Sequence, residues 1–229
     1  MIIIAQFIAA ILVGYLLGSI PFGLLIGKRM AKVDVRKYGS GRTGGTNVLR
    51  TAGRKAAALV ACLDVAKGVL AVVFAGLIVG EGYLGVGGFG LGVLVAQVLA
   101  ALAAIVGHIW SVFLKFQGGR GVSVFSGALI ALCPVAAMFG GVVIIAVIGL
   151  TRYVSLGSIA GVVGAYAVLV PLTIINGYPL EYLFYALFGG VLIIFMHRDN
   201  IVRLVSGTER KLGEKAVRGG IPSSTPSKS

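Results

Sequence analysis

Apolar residues run through this chain in long blocks separated by short polar segments, and the blocks have the length of membrane-crossing helices. Residues 2–26, 56–79, 83–107, 157–175 and 180–196 each form such a block, close to the roughly 20 residues a helix needs to cross about 30 Å of hydrocarbon. The stretch 122–150 is also apolar but is interrupted at Cys133-Pro134. It reads either as one kinked helix or as two short ones, and periodicity does not choose between them.

The placement of charge does choose. Lys and Arg number nine in 28–55, two in 115–120, one at 152 and seven in 198–228, with Lys67 alone inside an apolar block. A single crossing by 122–150 puts Arg152 and the C-terminal residues opposite the first two groups. Two crossings place every one of these loop cations on one face and leave the segments holding Glu81 and Glu181 on the other, the arrangement that the positive-inside bias favours. The expected fold is therefore all-α, a polytopic membrane protein with seven transmembrane helices, two of them short. Its N-terminus lies outside and its C-terminus in the cytoplasm. A hairpin at 122–150 entering from the cytoplasm keeps the same parity. Residues 1–210 are expected to form one integral membrane domain. Residues 211–229, rich in Gly, Ser, Pro and Lys without an apolar face, read as a disordered cytoplasmic tail.

Composition agrees: 58% of the 229 residues are apolar and 12% charged, and the mean hydropathy is +1.03, too apolar for a domain whose whole surface meets water. No Lys or Arg precedes Lys28, so the first block lacks the basic start of a secretory signal and is expected to remain as a span. The net charge of +13 sits in gaps between apolar blocks, where it orients the chain and meets anionic lipid. Nucleic acid is not an expected partner. Cys62 and Cys133 fall in apolar segments without paired ligands and read as packing residues. Spacings such as Gly14/Gly18 and Gly23/Gly27 suit close helix packing.

Three polar clusters converge on the cytoplasmic face once seven spans are accepted. The first, Gly39-Ser40-Gly41-Arg42-Thr43-Gly44-Gly45-Thr46-Asn47 followed by Arg50, formally contains GxGxxG but follows a basic loop instead of a strand, so a Rossmann reading fails. Exposed amides, hydroxyls and guanidinium forks before a helix are the components of an anion site. A flexible loop carrying orienting charges is the plainer reading. The second cluster, Gly107-His108-Ile109-Trp110-Ser111 with Gln117-Gly118-Gly119-Arg120-Gly121, lets the backbone curl around an oxyanion; an anchoring turn, with His108 as an interface residue beside Trp110, explains it equally well. The third is His197-Arg198-Asp199-Asn200, with Arg203 and Gly207-Thr208-Glu209. His197 and Asn200 share one helical face, although an ordinary helix end uses such residues too. Within a span, Asp64 and Lys67 are three apart and are expected to pair in a structural or orienting role.

At these clusters the chain resembles the acyl-phosphate-dependent glycerol-3-phosphate acyltransferases of bacterial membranes. Gly18-Ser19-Ile20-Pro21 leads to Gly39-Ser40-Gly41 and Gly44-x-Thr46-Asn47-x-x-Arg50. Gly107-His108 leads to Phe113 and Gly118-Gly119-Arg120-Gly121. His197-Arg198-x-Asn200-Ile201-x-Arg203 leads to Gly207-Thr208-Glu209. The resemblance implies transfer of a fatty acyl group from acyl phosphate to the 1-hydroxyl of glycerol 3-phosphate, giving lysophosphatidic acid and phosphate in the bacterial cytoplasmic membrane. It implies Ser40, Arg50, His197 and Asn200 as catalytic residues. Ser40, Thr46, Asn47, Arg50, Gly118, Gly119, Arg120 and Gly121 are implied as phosphate-binding, with no metal or cofactor. Its implied partners are glycerol 3-phosphate, acyl phosphate, membrane lipid and the soluble enzyme that supplies acyl phosphate. The chain departs from the family pattern at Arg42, usually Asn; at Arg120, usually Lys; and at Ser111, usually Pro. A guanidinium fork at 120 keeps the charge but widens its reach.

Two other classes fit less well. An organic-anion transporter or channel calls for polar residues on both faces and along a path, whereas Asp64 and Lys67 are the only convincing intramembrane pair. A thioester-dependent acyltransferase with His, four intervening residues and Asp is not encoded, since positions 113 and 202 hold Phe and Val.

Overall fold

The computed structural model describes residues 2–86, 89–214 and 216. Ten α-helices, two short 3-10 turns (Val35–Lys37 and Val112–Leu114) and a pair of short strands occur among them: α1 (Ile2–Ser19), α2 (Phe22–Ala31), α3 (Gly45–Ala52), α4 (Arg54–Val79), β1 (Leu84–Val86), β2 (Phe89–Leu91), α5 (Val93–Ile109), α6 (Val122–Leu132), α7 (Pro134–Thr151), α8 (Val154–Asn176), α9 (Leu180–Met196) and α10 (Arg198–Val205). Five segments are long and apolar enough to cross a membrane, and α9 with α10, bent by 60°, makes up to six. The 122–150 region is two helices. Pro134 occupies the first turn of α7, where its missing N–H costs nothing, and Cys133 ends α6 in a non-helical conformation. With 11 residues, α6 rises only about 16 Å.

Two expectations are corrected. The block 2–26 is not one continuous helix: Pro21 has no N–H to donate and restricts the residue before it, so α1 stops at Ser19 and α2 restarts at Phe22 and runs on to Ala31. The block 83–107 does not begin as a helix, although the fold is otherwise helical. Residues 84–86 and 89–91 pair as antiparallel strands with Leu84 opposite Leu91, in a stretch whose glycines at 82, 85, 87, 88, 90 and 92 raise the cost of helix. Of the expected tail, the structure describes residues 211–214 and 216; the remainder of 211–229 lies outside the described residues.

The bundle is built on pairs of helices in close contact: α1 with α5, α4 with α6, α7 with α8. Glycine permits the closest approaches. A Cβ on Gly14 or Gly18 would strike the backbone of Ala100 or Ala104, and one on Gly68 or Gly127 would strike that of Val124 or Val65, so α1 meets α5 and α4 meets α6 backbone to backbone. The α5–α6–α9 core is centred on Phe125 and Tyr185, whose rings stack at 5.2 Å; the Tyr185 hydroxyl donates to the Phe125 carbonyl at 2.9 Å. On α7, Met138, Val142, Ile145 and Leu150 point outward, the face a membrane helix gives to lipid.

Candidate active site

The three polar clusters meet at one cavity of about 560 Å³. Ser40, Arg42, Thr46, Arg120 and His197 lie on its wall, together with the starts of three helices: Gly44 and Gly45 at α3, Gly121 and Val122 at α6, and Val154 at α8. Each helix start presents unpaired amides and the positive end of a helix dipole. The lining also has an apolar part, from Ala57, Ala58, Ala61 and Val65 of α4 with Ile144 and Ile148 of α7. A single chamber thus joins cationic groups with apolar surface.

The loop before α3 is organised from within by Asn47. Its amide donates to the carbonyls of Val35 at 2.8 Å, Tyr38 at 3.2 Å and Arg42 at 2.8 Å, while its oxygen accepts from the Ser40 amide at 3.2 Å. Both amide hydrogens are consumed, so this side chain shapes the loop that presents Ser40 and Thr46. Gly39 and Gly41 take left-handed backbone (φ +57° and +68°), and a Cβ on Gly39 would collide with the Asn47 oxygen, which is why glycine stands there. At the loop's base the Arg36 guanidinium and amide bond to Asp34 and hold its carboxyl down to about 2.

The second loop rests on α5. The Gly119 amide donates to the His108 carbonyl at 3.0 Å, and Cβ atoms on Gly118 and Gly119 would strike the His108 backbone and ring. Gly121, at φ +89°, turns the chain into α6. Arg120 projects into the cavity with its Nε buried and without a hydrogen-bond partner. Burial, with Arg42 and Arg203 nearby, pushes its guanidinium down to about 10, still charged at neutral pH. Gly118 and Gly119 support this wall from behind and are not part of the lining.

The third cluster is tied together by Glu209. Its carboxylate accepts from Ser155 at 2.9 Å, Asn200 at 2.7 Å and Arg203 at 2.7 Å. Burial alone would raise this carboxyl, but those three bonds hold it below the ordinary glutamate value. Asn200 is buried, and its side-chain oxygen has no partner. His197 lies 2.8 Å from the Ile193 carbonyl through Nδ1; a carbonyl only accepts, so Nδ1 carries the hydrogen and Nε2 of the neutral ring is an acceptor.

Arg50 is placed differently from the other basic site residues. It lies outside the lining, its guanidinium donating to the Arg210 carbonyl at 3.2 Å. Its own carbonyl accepts from the Ala216 amide at 3.3 Å. The Leu212 amide donates to the Arg152 carbonyl at 2.7 Å, and Arg152 returns a bond to the Leu212 carbonyl at 3.0 Å. Residues 209–214 therefore run as a strap beside the cavity, with Leu212 on its wall. Sequence reasoning did not place Glu209, Arg203, Ser155 or Leu212 at the site, although the first two stood in the third motif. His108 is a buried residue under the glycine loop and not an interface residue. Among the described residues no three His, Cys, Asp or Glu side chains gather as metal ligands.

Fold and cavity together define a polytopic membrane enzyme whose site is shared between basic groups and apolar walls. The family model described as glycerol-3-phosphate acyltransferase matches residues 8–207. "Glycerol-3-phosphate acyltransferase 3" of Dehalococcoides mccartyi is 63% identical over 214 residues, covering 93% of this chain and 99% of that protein. The glycerol-3-phosphate acyltransferase of Halalkalibacterium halodurans is 42% identical over 203 residues, 88% of this chain and 93% of that one. The crystal structure of PlsY (YgiH), an integral membrane glycerol 3-phosphate acyltransferase in its glycerol 3-phosphate form, is similar with a TM-score of 0.78 and 36% identity, over 90% of this chain and 96% of that one. The chain belongs to the glycerol-3-phosphate acyltransferase family, and is an integral membrane acyltransferase of phospholipid synthesis.

Proposed function

We propose that this enzyme transfers a fatty acyl group from acyl phosphate to the 1-hydroxyl of glycerol 3-phosphate at the cytoplasmic face of a bacterial membrane. The observation that carries this is the mixed lining of the cavity, where Arg42, Arg120 and helix starts are joined by apolar residues of α4 and α7. Two phosphorylated substrates account for the recurrence of anion-binding elements, and the acyl tail accounts for the apolar wall. An acyl phosphate is a mixed anhydride and already activated, so orientation and charge stabilisation do the chemistry.

In this reading the glycerol hydroxyl attacks the acyl carbonyl carbon, the bond to the phosphate oxygen breaks, and phosphate leaves with the electron pair. Arg120 and the amides at the start of α6 hold the departing phosphate. His197 Nε2 and the free oxygen of Asn200 orient the glycerol 3-phosphate hydroxyls, and the hydroxyl proton passes to substrate phosphate. Ser40 and Thr46 donate to phosphate from the loop that Asn47 holds. Arg50 keeps further guanidinium N–H groups for phosphate beside the one given to Arg210.

The proposed topology is seven crossings, N-terminus outside and C-terminus in the cytoplasm, with residues 1–210 as one membrane domain and 211–229 as a cytoplasmic tail. The one-sided distribution of loop cations supports it. A soluble enzyme that makes acyl phosphate would deliver it at this face.

The test is purified protein given glycerol 3-phosphate with palmitoyl phosphate or with palmitoyl-CoA, following lysophosphatidic acid and phosphate. Product from acyl phosphate alone is expected. Product from the thioester alone would replace the donor, and folded protein inactive with both would overturn the reading.

A further inference from the structure

Beneath the glycine loop lies a buried charged set that the mechanism above leaves unused. Asp64 and Lys67, one turn apart on α4, are each 2% exposed, and the Lys67 Nζ stands 2.9 Å from Asp64 Oδ1. The same oxygen faces His108 Nδ1 at 3.6 Å. The far side of that imidazole abuts Gly119 so closely that a Cβ there would meet Nε2, and the Gly119 amide bonds the His108 carbonyl. The ring is therefore wedged between a carboxylate and the backbone of the loop that carries Arg120. Lys67 anchors the other end, donating to the Ile20 carbonyl at 3.1 Å at the break before Pro21, with its ammonium 5.7 Å over the Phe22 ring.

Removing charges from water inside a membrane protein is costly, and a buried pair that serves packing alone is replaceable by neutral groups of similar size at little loss. This pair does more than span two helices. Asp64 and His108 both reach the lining of the cavity that Arg120 and Gly121 share. The carboxylate stands 3.6 Å from Nδ1, beyond hydrogen-bond length, but it faces one side of the ring while the Gly119 backbone closes the other, which limits the ring's orientation. The position of Gly119, and through it of Arg120 and the amides opening α6, follows from the ring. Because Ser126, on α6 beyond that loop, borders the cavity and also a small pocket it shares with Ile144 of the apolar lining, the phosphate nearest to the loop is the one joined to the acyl chain.

We infer that Asp64, Lys67 and His108 are positioning residues for the transfer, setting the height of the Gly118–Gly121 loop against the phosphate of the acyl donor. The inference rests on the reading of that loop as a phosphate site.

The experiment compares the parent with the double variant D64N/K67M and with H108Q, measuring thermal unfolding and steady-state kinetics with each substrate varied in turn. D64N/K67M should unfold within a few degrees of the parent, since the pair is neutralised as a unit. Its KM for acyl phosphate should rise about tenfold, while kcat and the KM for glycerol 3-phosphate stay within about twofold. H108Q should show the same asymmetric signature, and it decides the matter if the double variant does not fold. Parent-like kinetics in folded D64N/K67M or H108Q, or an equal loss against both substrates, would overturn the inference. Arg120→Ala, run alongside, separates the two levels: full activity there would remove the phosphate-loop reading itself, whereas a loss there with parent-like H108Q would remove only the positioning role.

Discussion

Two glycine-rich loops border the cavity, and they are built in opposite ways. In the loop at 39–47 one side chain, Asn47, ties three carbonyls and one amide together. The loop at 118–121 has no such internal tie; it is held from outside by His108, and its one long side chain leaves Arg120 Nε buried without a partner. Buried polar groups are almost always satisfied, so a guanidinium left open at a cavity marks where an anion belongs, while a carboxamide with every hydrogen taken marks scaffold. The two motifs look alike as strings of Gly, Arg and small polar residues, but one is shaped by a carboxamide of its own and the other by a histidine outside it.

Substitutions can break that contrast. Arg120→Ala carries the largest expected effect: lysophosphatidic acid formation falls by about two to three orders of magnitude with the melting temperature held or raised, because an uncompensated buried charge is removed. Activity surviving in folded R120A would erase the distinction. Asn47→Ala should fail the other way, losing about 3 kcal/mol of stability as a lower melting temperature and lower folded yield before any kinetic defect is read. Glu209→Gln sharpens the comparison with a third kind of residue, a scaffold carboxylate at a ligand site. Its carboxyl sits below the ordinary value in the folded protein, so it contributes stability above the unfolded glutamate range and loses that contribution as pH falls through the lowered value. The variant should therefore melt below the parent at neutral pH, with the gap closing as the pH is lowered; a gap independent of pH would contradict this. Arg42→Asn should be mildest, raising KM for the phosphorylated substrates about twofold to threefold with kcat unchanged, and less so in high salt. A fall in kcat would show that Arg42 acts on the reacting atoms.

Long apolar blocks made most of the helices legible, and Cys133-Pro134 announced the α6–α7 break because proline opens a helix as readily as it ends one. The equivalent break at Ile20-Pro21 was hidden inside a block that stays apolar on both sides. The hairpin at 84–91 was hidden because glycine dilutes hydropathy little while weakening helix strongly. At the site, motif residues converged as their shared face required, but roles depended on partners far along the chain. Glu209 gains its function from Ser155, 54 positions away. Arg50 turns toward Arg210, 160 positions on, and no local pattern encodes that.

The strap at 209–214 has a consequence for the order in which the enzyme becomes complete. Ser40, Arg120 and His197 are synthesised with the helices that carry them, but Glu209 and Leu212 emerge only after the last apolar segment has left the ribosome. Until they do, Ser155, Asn200 and Arg203 lack the carboxylate that joins them, and the cavity lacks the part of its lining that Leu212 supplies. A nascent chain can be fully inserted in the membrane and still be unfinished as a catalyst, so that activity begins with the translation of a few polar residues beyond the final helix.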